Sequence, residues 1–264
     1  MPSTTRSAYL YAITAPHPAV DMTTLPGILD GGGTPGVPQC ISDGPLAAVV
    51  SLYDGRRVRP ERRNLAAHQG VLRALMGQGI PFLPVAFGVV VPSPQDLLAL
   101  LRANQEAIVR DLKRLSGRVE MGLKVLWDVP NIFEFFVFQN PDLAEFRDLV
   151  MKKPGGPSRE DKIALGQAFE TLLREKREQH EETVRRALGT CVPEFRADPP
   201  RDEKTIVNLS CLIERKHEKA FEQAVLQAAS CFDDNYAFDY SGPWPPYHFV
   251  SVSLPEPAMS ELAR

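Results

Sequence analysis

Residues Gly117 to Asp128 place the strongest constraint on the fold. Val119, Met121, Leu123, Val125 and Trp127 alternate with Arg118, Glu120, Lys124 and Asp128, the period-two pattern of a strand with one face in a core and the other toward polar surroundings. Such a strand needs partner strands for its backbone groups and a covering layer for its apolar row. The flanking sequence supplies both. Ile132 to Met151 and Ser158 to Leu188 read as helices separated by Lys-Lys-Pro-Gly-Gly-Pro at 152–157, which makes a helical hairpin over 131–188. Strands are predicted at 190–196 and 205–213, a helix from His217 to Ala229, and strands at Tyr236 to Tyr240 and His248 to Val252. From Gly117 onward this is the βαββαβ order of a ferredoxin-like sandwich, with its first crossover enlarged into the hairpin.

Upstream, Ala8 to Ile13, Val37 to Ile41 and Leu46 to Leu52 read as three strands. The Pro/Gly-rich loop 15–36 separates the first from the others, and Leu25, Ile28 and Leu29 make at most one helical turn in it. A helix follows from Glu61, with Leu65, Ala66, His68, Leu72, Leu75 and Met76 at helical spacing and Gly77 and Gly79 at its end. Phe82 to Val91 reads as one buried strand. Ser93 to Leu115 reads as one long helix with Ser93 as N-cap and Pro94 at the first helical position. The plan resembles a ferredoxin-like sandwich in which a loop replaces one crossover helix. The class expected is therefore α+β with two consecutive domains: 1–116 a modified ferredoxin-like sandwich, 117–241 the ferredoxin-like domain carrying the hairpin, and 242–264 a strand and tail that packs back on the body.

Two domains also suit 264 residues. With 44% apolar and 24% charged residues, the chain can bury a core and is not globally disordered. A net charge of -3 gives no global pull toward nucleic acid or an anionic membrane. Arg56, Arg57, Arg59, Arg62 and Arg63 form the main basic run, and a solvated surface explains them without any stacking motif. The longest apolar run, Ile80 to Val91, is interrupted by prolines and Gly88 and is shorter than the ~18 residues a spanning helix needs. The N-terminus reads as a strand rather than a leader, so a cytosolic protein is expected.

No chemical motif in the sequence stands in a supporting context. Gly31, Gly33 and Gly36 match a dinucleotide fingerprint literally, but Pro35 and Pro38 prevent the helix whose N-terminus would hold the phosphates. His180-Glu181 and His217-Glu218 begin like a zinc-protease motif, yet Val184 and Phe221 stand where the second ligand belongs. His17, His68 and His248 read as structural. Cys40, Cys191, Cys211 and Cys231 are widely spaced and imply neither zinc nor disulfides. No catalytic residue, metal or cofactor is expected.

The aromatic residues are more informative. Phe133, Phe135, Phe136 and Phe138 go nearly all the way round one helical stretch, so they are either sandwiched between sheet and second helix or exposed to a protein partner. Arg174 to Thr183 contains no apolar residue, and Glu181/Arg185 and Glu182/Arg186 are spaced for i,i+4 pairs. That half, including Glu178, is expected to stand in solvent or project from the body. The four phenylalanines with Glu178, Glu181 and Glu182 are the candidate partner-binding residues. Tyr236, Phe238 and Tyr240 share one strand face, and Trp244 and Tyr247 follow within a proline-rich segment. Packing is the expected role of these five, with Trp244 anchoring the tail. The rival is a base-stacking sheet of an RNA-binding module, opposed by Asp233, Asp234 and Asp239 and by the missing RNP1 pattern.

Tyr9-Leu-Tyr-Ala-Ile13, Pro81-Phe-Leu-Pro-Val-Ala-Phe-Gly88, Gly117-Arg-Val-Glu-Met-Gly-Leu-Lys-Val125 and Asn235-Tyr-Ala-Phe-Asp-Tyr-Ser-Gly-Pro-Trp-Pro-Pro-Tyr247 together resemble the gas vesicle protein F/L family, over residues 7 to 252. Ala86 departs from the Arg of relatives carrying Pro-Val-Arg-Phe-Gly. The resemblance implies a two-domain, non-enzymatic accessory or minor structural protein, needed to build the gas-filled protein shell and located with it in the cytoplasm. It implies binding to the shell protein or other gas vesicle accessory proteins; the charge and the motifs add the expectation of no nucleic acid, lipid membrane or cofactor. The alternative is an RNA- or small-ligand-binding ferredoxin-like module.

Overall fold

The computed structural model describes residues 6–17, 27–28, 36–53, 58–200 and 202–252. Packing divides the chain into two compact units: Met1–Glu120 together with Pro243–Arg264, and Met121–Gly242. Each contains an antiparallel sheet, and seven α-helices are found among the described residues. Leu25 and Leu29 of the expected turn, with Gly31, Gly33, Arg56 and Arg57, lie outside the described residues.

In the first unit, β1 (Ser7–Thr14), β2 (Gln39–Asp43), β3 (Leu46–Tyr53) and β4 (Phe82–Pro84) lie in the order β2-β3-β1-β4, and β5 (Val90–Val91) also pairs with β1. The β1–β3 ladder runs from Ser7 opposite Tyr53 to Thr14 opposite Ala47, and its register shifts between Leu10 and Ala12. Every β1 residue from Ala8 to Thr14 is buried. Tyr9 and Tyr11 meet Val71, Leu72 and Leu75 of helix α1 (Arg62–Gly77) in one core. The buried face of α1 also includes Asn64, Ala67 and His68, so Leu65 and Ala66, expected inside, are outside. Asn64 explains part of this rotation: it turns inward because its amide donates to the Arg59 carbonyl.

Two continuous readings are broken in this unit. Phe82 to Val91 is β4 and β5 separated by an irregular stretch, because Pro84 has no amide to donate and Gly88 takes a positive φ of 94°. The Val85 amide still donates to the Tyr11 carbonyl, and Leu10 donates to Val89, which holds the stretch along β1. Ser93 to Leu115 is two helices, α2 (Pro94–Ala103) and α3 (Gln105–Leu115), interrupted at Asn104, whose side chain donates to the Leu100 carbonyl. The Ser93 cap and Pro94 stand as read, with the Ser93 hydroxyl accepting from the Asp96 amide at 3.1 Å.

The second sheet has the order β7-β8-β6-β9, built from β6 (Arg118–Trp127), β7 (Glu194–Ala197), β8 (Thr205–Glu214) and β9 (Tyr236–Trp244). Val119, Met121, Leu123, Val125 and Trp127 of β6 are all buried, as their alternation requires. Its polar row has one buried member, Glu120. The helical hairpin is three helices rather than two: α4 (Ile132–Gln139), α5 (Pro141–Met151) and α6 (Arg159–Leu188). Pro141 causes the extra break, since the residue before a proline avoids helical geometry and Asn140 is extended at φ −125° and ψ 100°. Ser158 and Asp161 form a reciprocal capping box at the start of α6. Helix α7 (Glu218–Ala229) precedes β9.

The chain end differs from its sequence reading. His248 to Val252 forms no strand; Tyr247–Phe249 is a 3-10 turn, and the amides a ladder would use are taken elsewhere, those of His248 and Ser251 by the Glu120 and Asp111 carboxylates and that of Phe249 by the Pro246 carbonyl. Residues 243–252 belong instead to the first unit. There the Phe249 ring is fully buried, its carbonyl accepts from Arg114, and the amide and hydroxyl of Ser251 both donate to Asp111 at 2.7 Å.

Candidate functional site: the surfaces of helices α4 to α6

Helix α4 is fixed by edge-to-face aromatic contacts. The Phe136 ring lies 5.3 Å from Trp127 and 5.7 Å from Phe169 of α6, and Phe133 lies 5.3 Å from Phe169. Phe135 is half-buried with its ring 5.8 Å from Phe136, whereas Phe138 points into solvent with 91% of its surface exposed. The four phenylalanines therefore differ in burial. One is buried, two are partly covered and one is free to meet another surface.

The polar stretch Arg174 to Thr183 does not project from the body along its whole circumference. The Arg177 Nε donates to the Thr205 carbonyl at 2.8 Å, and its Nη2 donates to the carbonyls of Asp202 and Glu203 at 3.0 and 2.8 Å. The same guanidinium lies 5.7 Å over the Trp127 ring. His180 shares a 3.1 Å hydrogen bond with the Tyr236 hydroxyl and packs among Trp127, Phe232 and Tyr236. Burial, followed by the charge of Lys176, lowers the His180 pKa and favours the neutral ring. Arg177 and His180 were missed by the sequence reading because neither is apolar. Their signal was positional: Leu173, Arg177, His180 and Val184 continue one helical face at i, i+4, i+7 and i+11.

The opposite side of this stretch is wet. Glu178 and Glu182 are exposed, Glu182 reaches Arg186 at 3.2 Å, and half-buried Glu181 reaches Arg185 at 2.7 Å. Earlier on α6, an open groove of about 550 Å³ lies between α5 and α6. On another side of α6, a second groove of about 700 Å³ is bordered by Phe169, Leu173, Arg177 and Pro200.

The aromatic residues of β9 grade outward. Phe238 is half-buried with its ring 5.2 Å from Phe232, and Tyr236 joins His180 as described. Tyr240 is exposed and donates its hydroxyl to Glu222 at 3.0 Å. Trp244 is 39% exposed, so the buried tail anchor is not the tryptophan but Phe249, supported by Tyr247. A large amphipathic ring in a chain stiffened by Pro243, Pro245 and Pro246 points to Trp244, yet the fully buried ring is the one that follows these prolines.

The remaining polar candidates are held by hydrogen bonds within the fold. Tyr9 donates to His68 Nδ1 at 2.8 Å while His68 Nε2 donates to the Val85 carbonyl at 3.1 Å and lies 3.3 Å from the Tyr247 hydroxyl. Burial lowers the His68 pKa to about 4 and pushes Tyr247 up to about 12, so both are neutral near pH 7. Tyr11 accepts from the Ile28 amide and donates to Ser51, which donates to the Gly36 carbonyl. Gly36 thus serves as a backbone contact, and a Cβ on Gly27 would fall 1.5 Å from its carbonyl oxygen. His248 bonds buried Glu120 through both its amide, at 3.0 Å, and Nδ1, at 2.6 Å. Among the described residues no group of three or more His, Cys, Asp or Glu is placed to hold a metal ion, and no helix is long and apolar enough to cross a membrane.

What these features define is a mixed α/β scaffold of two antiparallel sheets on which Phe138 of α4 is the most exposed large apolar side chain among the described residues. Residues 7–251 match the family model for Gas vesicle synthesis protein GvpL/GvpF, and the chain belongs to that family. It is 31% identical to Gas vesicle protein F of Streptomyces sp. (strain CB03234), covering 92% of this chain and 99% of that protein. The crystal structure of GvpF from Anabaena sp. PCC7120 is similar with a TM-score of 0.79 at 27% identity, covering 94% of this chain and all of the other. That of GvpF from Microcystis aeruginosa is similar with a TM-score of 0.77 at 25% identity and the same coverage.

Proposed function

We propose that the chain is a non-enzymatic accessory protein of gas vesicle assembly, located with the vesicle, which binds the shell protein or other accessory proteins through α4 to α6. The family match across residues 7–251 carries this reading. The exposure of Phe138, Glu178 and Glu182 on the inserted helices supports the choice of surface, since isolated phenylalanines in water are the kind of residue interfaces cover. Each unit is read as ferredoxin-like: numbered within their own sheets, both sets of four strands follow the order second, third, first, fourth. On that reading the insertion exceeds what the sandwich needs to close its core, and is free to serve a partner. A base-stacking role is not favoured, because Tyr240 is engaged by Glu222 and Asp239 stands beside it.

The test combines Phe138→Ser, Glu178→Lys and Glu182→Lys and measures capture of purified shell protein and of each purified accessory protein at low salt. Loss of capture by at least about tenfold with folding changed by less than about 1 kcal/mol is the expected result. Unchanged capture of every partner would remove this surface from the proposal.

A further inference from the structure

The groove between α5 and α6 is a candidate docking site with its own chemistry. Its floor is apolar: Leu143 and Phe146 come from α5, and Ala168 and Leu172 come from α6. Leu143 is buried, but Phe146, Ala168 and Leu172 remain half-exposed, so the helices have not closed over their own seam. Both walls carry a carboxylate, Asp142 on α5 and Glu175 on α6, and no Lys or Arg lines the groove. Asp142 also lies in the first turn of α5, where the helix dipole favours it, whereas Glu175 lies mid-helix with no such role. Among the described residues neither carboxylate has an ion-pair partner.

We infer that this groove takes a short amphipathic helix whose apolar stripe is flanked by Lys or Arg. Two helical walls offer ridges on which a third helix seats its own side chains, and Ala168, Leu172 and Glu175 stand on one face of α6 at i, i+4 and i+7. The wall from Gln167 to Glu175 is about 12 Å long at 1.5 Å per residue, a little over two turns, which sets the length of the docked contact. Cations flanking the stripe would meet a carboxylate on each wall without facing a like charge. The inference rests on the reading of α4 to α6 as the partner-binding element and adds the chemistry of the partner. It does not depend on Phe138, Glu178 or Glu182.

The probe is a fluorescent helical peptide of about 14 residues, long enough for the two-turn contact, with Leu at i, i+4 and i+7 and Lys on both flanks. A second peptide replaces each Lys by Glu, and a third scrambles the basic sequence. Anisotropy is measured with the full chain, with Thr171→Arg, and with Asp142→Asn combined with Glu175→Gln. Thr171 is exposed on the groove wall, so the arginine blocks the groove without entering the core. Expected is saturable binding of the basic peptide alone, weakened about tenfold or more by Thr171→Arg and severalfold by the neutralised pair, with circular dichroism unchanged. Equal binding of the acidic or scrambled peptide, no binding up to millimolar peptide, or indifference to Thr171→Arg would each overturn the inference. So would concentration-dependent self-association abolished by Thr171→Arg, which would make a second copy the occupant. If the peptide fails while the chain still captures purified vesicle proteins, the groove is excluded and the assembly role stands.

Discussion

In the first unit the polar tips of Tyr9, Tyr11, His68 and Tyr247 meet other polar groups inside the core, whereas in the second the rings of Phe133, Phe135, Phe136 and Phe169 pack with one another and with Trp127, and Phe138 is left outside. The two arrangements have different consequences for stability. A hydrogen-bonded aromatic core tolerates little displacement, because each group moved leaves another unsatisfied. A stack of hydrocarbon rings has no such obligation, and a helix such as α4 can present one face to the body and another to a partner.

The tail is the sharpest place to test the sealed unit. Phe249 is fully buried while Trp244 retains 39% exposure, although the tryptophan is larger. Phe249→Ala is expected to cost about 3 to 5 kcal/mol in urea unfolding, and Trp244→Ala about 1 kcal/mol. A larger loss from the tryptophan would reverse the comparison and make Trp244 the anchor after all.

The next effect is pH-dependent and belongs to His68. Its folded pKa of about 4 lies below the ordinary value of 6.5, so between these limits the unfolded chain binds a proton that the native unit refuses. The stability tied to neutral His68 is complete above pH 6.5 and is lost as pH falls toward 4, by about 3 kcal/mol in all. Carboxylates titrate in the same range, so the measurement is the difference between the native chain and His68→Gln at each pH. That difference should shrink from pH 7 to pH 4. A constant difference would mean that the buried imidazole is protonated without penalty, and the contrast in polarity between the two units would lose its energetic basis.

How much of this could be read beforehand depended on whether the signal was local. Ser93 with Pro94, the alternation of β6 and the glycines ending α1 are decided by neighbours in sequence, and each appears where expected. The signal of Pro141 is equally local, but the apolar spacing on both sides continues as if unbroken and masks it. Arg177 and His180 fail for a different reason. Their docking depends on three carbonyls near the start of β8 and on rings from β6 and β9, partners as much as 56 residues away in the sequence. Polarity alone marked the segment as solvated, whereas a guanidinium that can satisfy three acceptors and cover an indole behaves as a core-facing group. The tail's attachment to the first unit is likewise non-local. It rests on Asp111, Arg114 and Glu120, none of which announces a distant partner in its own surroundings.

The smallest expected effect sharpens the comparison from the open side. Phe138→Ser removes a ring with 91% of its surface in water, so the chain gives up almost no burial on folding. Serine is a slightly poorer helix former than phenylalanine at most by tenths of a kcal/mol, and position 138 is next to the last residue of α4, where that penalty fades. Unfolding midpoints should therefore agree within about 0.5 kcal/mol. The ring belongs to the helix whose other aromatic members hold it against Trp127 and Phe169, so the substitution tests exposure without disturbing attachment. If Phe138→Ser costs more than about 1.5 kcal/mol, the ring is covered within the protein itself, and the group of helices α4 to α6 is as closed as the unit that holds His68.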